Sequence, residues 1–226
     1  MQYNTMVIVG MAGLLGLWVL GGACPLTAEV KPYQAKDFSR LKGMKGFSDT
    51  LLEQHFTLYQ GYVKNTNLLA ERLRQAAPDS PEFAELKRRF GWEFNGMRLH
   101  ELYFGNLGGK GELRQDSRLM KRLVEDFGSF DKWAADFKAT GAMRGIGWVI
   151  LYQDPQNGRL FNAWINEHDV GHLAEATPLL VMDVFEHAYM TDYGLKRADY
   201  IKAFFDHIDW TVVERRMGPE KETGAK

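Results

Sequence analysis

The sequence predicts an α+β fold: an N-terminal antiparallel helical hairpin domain, then a C-terminal domain with a small three-stranded antiparallel sheet flanked by helices. Two long segments with apolar residues at the helical period occupy the first half of the chain. Three short apolar or β-branched segments occupy the second half. We therefore expect three parts: a leader or anchor at 1–28, the helical hairpin at 29–108 and an α/β domain at 109–226.

The composition limits the kinds of protein that this chain can be. Its 226 residues carry 28 basic and 29 acidic side chains, for a formal net charge of -1, and 45% of the residues are hydrophobic. Because there is no basic excess, we expect no nucleic-acid partner. The single cysteine, Cys24, excludes an intrachain disulfide and a cysteine-based metal cluster.

The first 28 residues differ from the rest of the chain. Residues 6–19 are apolar and uncharged, which is short for a membrane-spanning helix and typical of the apolar core of a signal peptide. Cys24 follows Leu-Gly-Gly-Ala and resembles the cleavage site of a lipoprotein. Cleavage near Ala28 without lipid, or retention as a membrane anchor, are the alternatives. Each places the folded part outside the cytoplasm, so we expect an exported protein of the periplasm or cell envelope.

Both long helical patterns have recognisable ends. The first begins near residue 46, where Ser48 can cap the helix, and the segment 76–81 interrupts it. The second is predicted from Pro81, in the first turn, to about Phe104. The glycine-rich run 105–111 follows, and it is the predicted boundary between the two halves.

The second half of the chain changes from helical to extended patterns. Residues 148–152 and 159–165 are rich in β-branched and aromatic side chains, and the turn-forming run 154–158 joins them into a predicted hairpin. Residues 178–182 are apolar throughout and predict a third strand. Helical patterns flank these strands, at 117–127, 130–139 and 195–215.

Six histidines are the candidate sites of chemistry: His55, His100, His168, His172, His187 and His207. One interpretation is that they fill core and surface positions without a shared function. A second is a zinc hydrolase, because His168-Asp169-Val170-Gly171-His172 imitates the H-E-x-x-H zinc motif. That motif needs a helix, in which Gly171 would cost about 1 kcal/mol relative to alanine. Asp169 is also one carbon shorter than the glutamate of the motif, so both features disfavour a hydrolase.

A third interpretation rests on Asp183 and His187. Asp183 ends the apolar strand and His187 follows four residues later, so both side chains can point at one ion. One carboxylate and one imidazole suit iron, manganese or zinc. His55 and His100, each among aromatic residues in a long helical pattern, are candidates for two further ligands from the other half.

The segment that starts at Asp183, DVFEHAYMTDYGLKRADYIKAFF, strongly resembles a family signature. This signature, D-x-W-E-H-A-Y followed by a helix, is that of the iron/manganese superoxide dismutases. Residues 100–104 (HELYF) are similar to the N-H-x-x-[FY]-W segment of that family, and residues 145–148 (GIGW) to its G-S-G-W segment. The resemblance extends over most of the chain after Gly46.

The resemblance implies one Fe or Mn ion per chain, with some of its ligands in the C-terminal domain. Asp183 and His187 take the places of the third and fourth ligands, and His100 that of the second. His55 is the only histidine available for the first. Tyr62 matches the gateway tyrosine of the family, but it follows His55 by one residue fewer than usual. A helical bulge that this chain lacks would account for the difference.

The resemblance also implies catalytic residues around the ion. Gly96 lies where iron-type enzymes often carry glutamine and manganese-type enzymes glycine, so the outer-sphere partner is expected from the loop before the third strand. His168 matches the histidine that some members use there, and Glu167 is the close alternative. The segment that contains His172 is then a loop that supplies His168 alone. With Tyr62, these residues are the expected catalytic set.

Glu186 and His187 are expected to form a reciprocal bridge across a two-fold interface, so we expect a homodimer, with a tetramer as the alternative. Several positions depart from the family pattern: Phe185 replaces tryptophan, Ile146 replaces serine, Arg144 replaces an aromatic residue or glutamine, and Tyr59 replaces a histidine near the substrate gate.

The resemblance implies a superoxide dismutase, which converts superoxide to oxygen and hydrogen peroxide by cycling a single Fe or Mn ion. All four ligand types are present, whereas the residues around them are altered. A second hypothesis therefore stays open: an exported, non-catalytic, metal-binding protein on the same scaffold, with a possible N-terminal membrane or lipid anchor.

Overall fold

A computed structural model describes residues 31–218, and it confirms the predicted α+β class. The strands are β1 (Gly147–Gln153), β2 (Leu160–Asn166) and β3 (Thr177–Asp183). The helices are α1 (Asp49–Gln75), α2 (Pro81–Gly105), α3 (Arg118–Phe127), α4 (Phe130–Gly141), α5 (Met190–Tyr193), α6 (Arg197–Asp206) and α7 (Trp210–Arg215).

Helices α1 and α2 form the predicted hairpin, and each starts at a serine cap. The side chain of Ser48 accepts the backbone N–H of Leu51, and that of Ser80 accepts the N–H of Phe83. These bonds satisfy N–H groups that the first turn of a helix leaves unpaired. Helix α2 ends at Gly105, one residue beyond the predicted end.

The three strands form an antiparallel sheet in the order β2-β1-β3. Strand β1 lies at the centre and every residue in it is buried, in agreement with its apolar sequence. Trp148 of β1 pairs with Asp183 of β3 on one side and with Ile165 of β2 on the other. This register brings the last residue of β3 beside an indole in the middle of the molecule.

The segment predicted as helical at 195–215 is helical, and the structure divides it into α6 and α7. The carboxylate of Asp209 accepts the N–H groups of Thr211 and Val212, which caps a new helix. The backbone N–H of Asp209 donates to the carbonyl oxygen of Asn106 at 2.9 Å. This bond turns the chain toward the end of α2, so one continuous helix cannot form.

The described residues from Pro32 onward belong to one compact unit, in which α2 packs against β3 and both hairpin helices share the hydrophobic core with the sheet. The division at 108/109 stays a prediction. The expected leader or anchor at 1–28, with Cys24, lies outside the described residues. In the range 31–218, the helices are all too short or too polar to cross a bilayer.

Candidate metal centre

Four side chains from four separate elements meet in the interior. His55 comes from α1, His100 from α2, Asp183 from the end of β3, and His187 from a 3₁₀ turn at Glu186–Ala188. One nitrogen or oxygen atom from each lies within 4.8 Å of the others. His55, His100 and Asp183 are buried, whereas 23% of the His187 side chain is exposed.

Asp183 is the centre of this group. Its Oδ2 atom lies 3.2 Å from Nε2 of His55, 3.1 Å from Nε2 of His187 and 3.7 Å from Nε2 of His100. Its Oδ1 atom accepts the backbone N–H of Phe185 at 2.8 Å, which fixes the carboxylate plane. Oδ2 is therefore the oxygen that faces the imidazoles.

His100 carries an observation that points to a metal ion. Its Nδ1 atom lies 2.6 Å from the carbonyl oxygen of Gly96, and because a carbonyl can only accept, Nδ1 carries the proton. The neutral ring then has a bare lone pair on Nε2. That nitrogen is buried and has no hydrogen-bond partner. Buried polar atoms without a partner are rare and costly, so a cation bound here would satisfy it.

The protonation states also suit a cation. Burial lowers the pKa of His55, and it lowers that of His100 well below the ordinary value, so both rings are neutral at neutral pH. Burial alone would raise the pKa of Asp183, but the imidazoles of His187 and His55 outweigh it and the net pKa is lowered. Three imidazole nitrogens and one carboxylate oxygen form a donor set that fits iron, manganese or zinc.

The short spacing between His55 and Tyr62 is accommodated by a regular α1 helix. The segment from His55 to Tyr62 is continuous α-helix, in which seven residues make about two turns. Both rings therefore lie on one face, and each has its centroid 5.0 Å from that of His100. His55 reaches the cluster without a bulge in the helix.

Tyr62 and His168 form a hydrogen-bonded pair beside the ligands. The Tyr62 hydroxyl lies 2.8 Å from Nε2 of His168, and the indole N–H of Trp148 donates to Nδ1 of His168 at 3.0 Å. Because indole is only a donor, Nδ1 is bare and Nε2 carries the proton. His168 therefore donates to the Tyr62 oxygen, and the Tyr62 O–H is free to donate elsewhere.

The two alternatives for the outer-sphere partner lie in different places. Glu167 is exposed, and its carboxylate accepts the indole N–H of Trp92 at 2.8 Å. It therefore anchors the loop, whereas His168 faces Tyr62. His172 lies apart from the ligand cluster: its Nδ1 is 2.7 Å from the Tyr152 hydroxyl and its Nε2 is 2.9 Å from the backbone oxygen of His168. The described residues contain one group of potential metal ligands, and His172 is not in it.

The altered positions differ in how they relate to this site. Phe185 stacks on the rings of both His168 and His187, with centroids 4.8 and 5.1 Å away. The Tyr59 hydroxyl donates to the buried carboxylate of Glu101, so it is held away from the ligands. Ile146, at 38%, and Arg144 are both exposed.

Sequence reasoning missed two supporting side chains. The Tyr200 hydroxyl donates to the backbone oxygen of Asp183 at 2.6 Å, which holds the end of β3. The ring of Trp92 lies 4.4 Å from that of His168. Tyr200 lies inside the segment that resembles the family signature, so that segment offered a signal, whereas nothing around Trp92 in the sequence indicated its role.

Comparison with known proteins identifies the family. Residues 115–216 match the family model described as iron/manganese superoxide dismutases, C-terminal domain. The chain is 39% identical over 199 residues to an iron superoxide dismutase of Aquifex pyrophilus, covering 83% of this chain and 92% of the relative. The chain belongs to the iron/manganese superoxide dismutase family.

Both iron and manganese superoxide dismutases are among the similar proteins. The chain is 39% identical over 180 residues to an iron superoxide dismutase of Cupriavidus metallidurans, covering 77% of this chain and 90% of the relative. It is 35% identical over 158 residues to a manganese superoxide dismutase of Haloferax volcanii, covering 69% and 79%. The predicted family is confirmed.

The contact between Gly96 and Tyr62 leads to a prediction. A Cβ atom at Gly96 would lie 2.6 Å from Cδ1 of Tyr62, closer than such atoms approach in proteins. We expect Gly96→Ala to displace the Tyr62 ring, to weaken its bond to His168 and to lower the free energy of unfolding by about 1–3 kcal/mol. Chemical denaturation and metal analysis measure the two effects, and metal content should not change.

Gly61 provides the matched control, because it is also a helical glycine and a Cβ atom there meets nothing within 4 Å. Gly61→Ala should be as stable as the parent protein or more stable by up to about 1 kcal/mol. Equal stability of the Gly96 and Gly61 variants would show that Tyr62 can move without cost.

Proposed function

We propose that the chain is a superoxide dismutase, which converts superoxide to oxygen and hydrogen peroxide with one Fe or Mn ion per chain. His55, His100, Asp183 and His187 would hold the ion. The observation that carries the proposal is the buried, unpartnered Nε2 of His100, which faces an ionised carboxylate in a four-ligand cluster. Relatives named as iron and as manganese superoxide dismutases support the same activity.

The reaction exchanges one electron at a time between the protein and its substrate. Bound by the His55, His100, Asp183 and His187 side chains, the ion would supply one-electron redox chemistry, by which one superoxide would be oxidised to oxygen and the next one reduced. That second superoxide also needs two protons to leave as hydrogen peroxide. The protein side chains must therefore deliver protons close to the ligands.

Tyr62 is the proposed proton donor. Burial raises its pKa above the ordinary value for tyrosine, so the phenol keeps its proton at neutral pH. The N–H of His168 occupies a lone pair on the Tyr62 oxygen and leaves the O–H to donate toward the ligand cluster. Burial lowers the pKa of His168 to about 4, so its ring is neutral and keeps this tautomer. Positioned hydrogen bonds of this type tune the chemistry of a bound metal.

One experiment separates this function from that of a non-catalytic metal-binding protein. The purified chain is loaded with iron or with manganese, its metal content is measured, and superoxide removal is assayed on the same samples. We expect about one ion per chain and turnover well above that of the free metal salt. A chain that binds one ion and removes no superoxide would be a binding protein on a dismutase scaffold.

We propose that the chain forms a homodimer in which Glu186 of one subunit approaches His187 of the other. Glu186 is exposed and adjoins His187, the one member of the ligand cluster that is not fully buried. A metal ligand at the surface of a single chain would be shielded from water by such a partner. A carboxylate behind a ligating imidazole also fixes the ring and raises its basicity.

Glu186→Ala is expected to weaken both the dimer and the metal site. Loss of an outer-shell partner costs about 10–100-fold in metal affinity, and sedimentation together with metal titration measures the two effects. Glu85→Ala is the control, since the Glu85 carboxylate is exposed and pairs locally with Arg88. A Glu186 variant that stays dimeric with unchanged metal affinity would contradict the bridge.

We further propose that the protein is exported to the periplasm or cell envelope. The support is the apolar run 6–19 and the small residues before Cys24, which are typical of a signal peptide or lipoprotein leader. The mass of the mature N-terminus distinguishes a lipid on Cys24, cleavage near Ala28 and a retained anchor. A full-length chain in the soluble cytoplasmic fraction would contradict export.

A further inference from the structure

The loop that carries His168 has a backbone that needs external support. Glu167 has a φ of +50°, in the left-handed region that residues other than glycine rarely adopt. Gly171 has a φ of +103°, and a two-way bridge between Asn166 and Val170 closes the turn. A left-handed non-glycine residue costs free energy and persists only where surrounding contacts impose it.

His172 supplies one of those contacts. Its Nε2 atom lies 2.9 Å from the backbone oxygen of His168, which can only accept, so Nε2 carries the proton. A ring that carries one proton, on Nε2, accepts the Tyr152 O–H at Nδ1, over 2.7 Å. Burial raises the pKa of Tyr152, so that hydroxyl keeps its proton at neutral pH. His172 therefore joins the peptide of His168 to the sheet.

Strand β1 supports both the ring and the backbone of His168. Trp148, which donates to the ring, and Tyr152, which holds His172, lie four residues apart on β1, so they share a face of the sheet. Fixing the peptide of His168 fixes the direction of its side chain. A functional group held by well-packed supporting residues keeps its geometry, and a loosely supported one does not.

We propose that His172, anchored by Tyr152, is a positioning residue that holds the His168 peptide so that the ring N–H points at the Tyr62 oxygen. The inference rests on the proposed function, because that function gives His168 and Tyr62 their roles. It also assigns a role to the His168–His172 segment that imitates a zinc motif. The second histidine of that segment holds the backbone of the first.

Two substitutions separate the two bonds of His172. A glutamine amide places its nitrogen near the position of Nε2 of histidine, so His172→Gln can still donate to the His168 oxygen. An asparagine amide lies near the position of Nδ1, so His172→Asn can still contact Tyr152 but cannot reach the His168 oxygen. His172→Ala removes both bonds. The proposal predicts that His172→Gln, which keeps the bond to His168 and loses the anchor on Tyr152, is affected much less than His172→Asn and His172→Ala.

The main readout is the exchange rate of the His168 ring N–H with water. It is measured by NMR on the full chain with ¹⁵N-labelled histidine and zinc in the site, because zinc causes no paramagnetic broadening. The chain has six histidines, and His168→Gln identifies the signal by its loss. We expect exchange to be about tenfold faster in His172→Asn and His172→Ala, as for loss of one hydrogen bond. His172→Gln should stay within about twofold.

The second readout is superoxide removal by the iron- or manganese-loaded variants. We expect turnover to fall about three- to tenfold in His172→Asn and His172→Ala, at unchanged metal content, below the loss from removing an outer-shell partner itself. His207→Ala is the control, since Nε2 of His207 also bonds to a backbone oxygen, that of Lys45, outside this loop. It should leave both readouts unchanged.

Three results would overturn the proposal: unchanged N–H exchange in the asparagine variant, damage in His172→Gln equal to that in His172→Asn, or loss of bound zinc from His172→Ala. If His172→Ala does not fold, the Asn–Gln comparison decides alone. Failure of the proposed function is a separate result. In that case the parent protein removes no superoxide, while the exchange rates still report on the position of His168.

Discussion

Replacement of Asp183 with alanine is expected to abolish metal retention by this chain. Asp183 supplies the single negative charge of the cluster, and its Oδ2 lies 3.1–3.7 Å from three imidazole nitrogens. Three neutral nitrogens alone would leave the charge of the ion in a buried site without compensation. Because loss of an outer-shell partner already costs about 10–100-fold, loss of this ligand should cost more than about 100-fold in affinity.

Metal analysis after dialysis against a chelator measures the effect, and Asp192→Ala is the control. Asp192 is also a hydrogen-bonded aspartate, but its carboxylate binds Ser48 at the start of α1, away from the imidazoles. The Asp192 variant should retain one ion per chain. If Asp183→Ala also retains one ion at the parent affinity, the metal site lies elsewhere in the molecule.

The same site gives the sign of the pH dependence of binding. Protons compete with the ion for imidazole nitrogens, so metal is released as the pH falls. Burial lowers the pKa of His55 and His100 below the ordinary 6.5, so these rings stay neutral below that pH. Protonation of these two rings should therefore contribute to release only below pH 6.5. The lowered pKa values of His55 and His100 also affect the stability of the metal-free protein. Below pH 6.5 these histidines bind more protons in the unfolded chain than in the folded one, so the free energy of unfolding falls as the pH falls.

The sequence predicts those parts of the site that depend on local spacing. Asp183 and His187 are four residues apart across a strand end, so their meeting at one ion follows from the chain itself. The loop conformation at His168–His172 was also predictable, because Gly171 is costly in a helix, and the structure gives it a left-handed φ. The signature around Asp183 then supplied the family.

Other features depend on tertiary contacts that no local pattern contains. The choice between His168 and Glu167 depends on the indole of Trp92, which holds the Glu167 carboxylate from a different element. The break between α6 and α7 depends on a bond from Asp209 to Asn106, about a hundred residues earlier in the chain. The proton on His168 is set by Trp148 and Tyr62, which share neither a strand nor a helix.

His55→Ala and Tyr62→Phe should differ in their effect on the metal site, although the two side chains lie on one face of α1. Nε2 of His55 lies 3.2 Å from Oδ2 of Asp183, so its removal takes away a ligand atom. We expect His55→Ala to lose metal or redox activity. Tyr62→Phe removes a hydroxyl that contacts His168 and leaves the ligand atoms in place, so metal content should stay at the parent level.

Turnover of Tyr62→Phe should fall by about 10²-fold, the lower end of what a positioned proton donor contributes. Tyr59→Phe is the matched control, because Tyr59 is a second buried tyrosine on α1 whose hydroxyl bonds to Glu101 and not to His168. It should retain both metal and most of the turnover. Equal losses in the two phenylalanine variants would contradict a specific role for Tyr62.

Optical and magnetic spectra of the metal-loaded variants test whether His55 is a metal ligand. An imidazole bound to iron or manganese changes the symmetry of the ion, so its loss changes the spectrum even where some metal remains. Tyr62→Phe should keep the parent ligand spectrum, because the phenol is not one of the four ligands. A His55→Ala protein with full metal content and an unchanged spectrum would mean that the ion is held by His100, Asp183 and His187 alone. Such a three-ligand site would not support efficient dismutation.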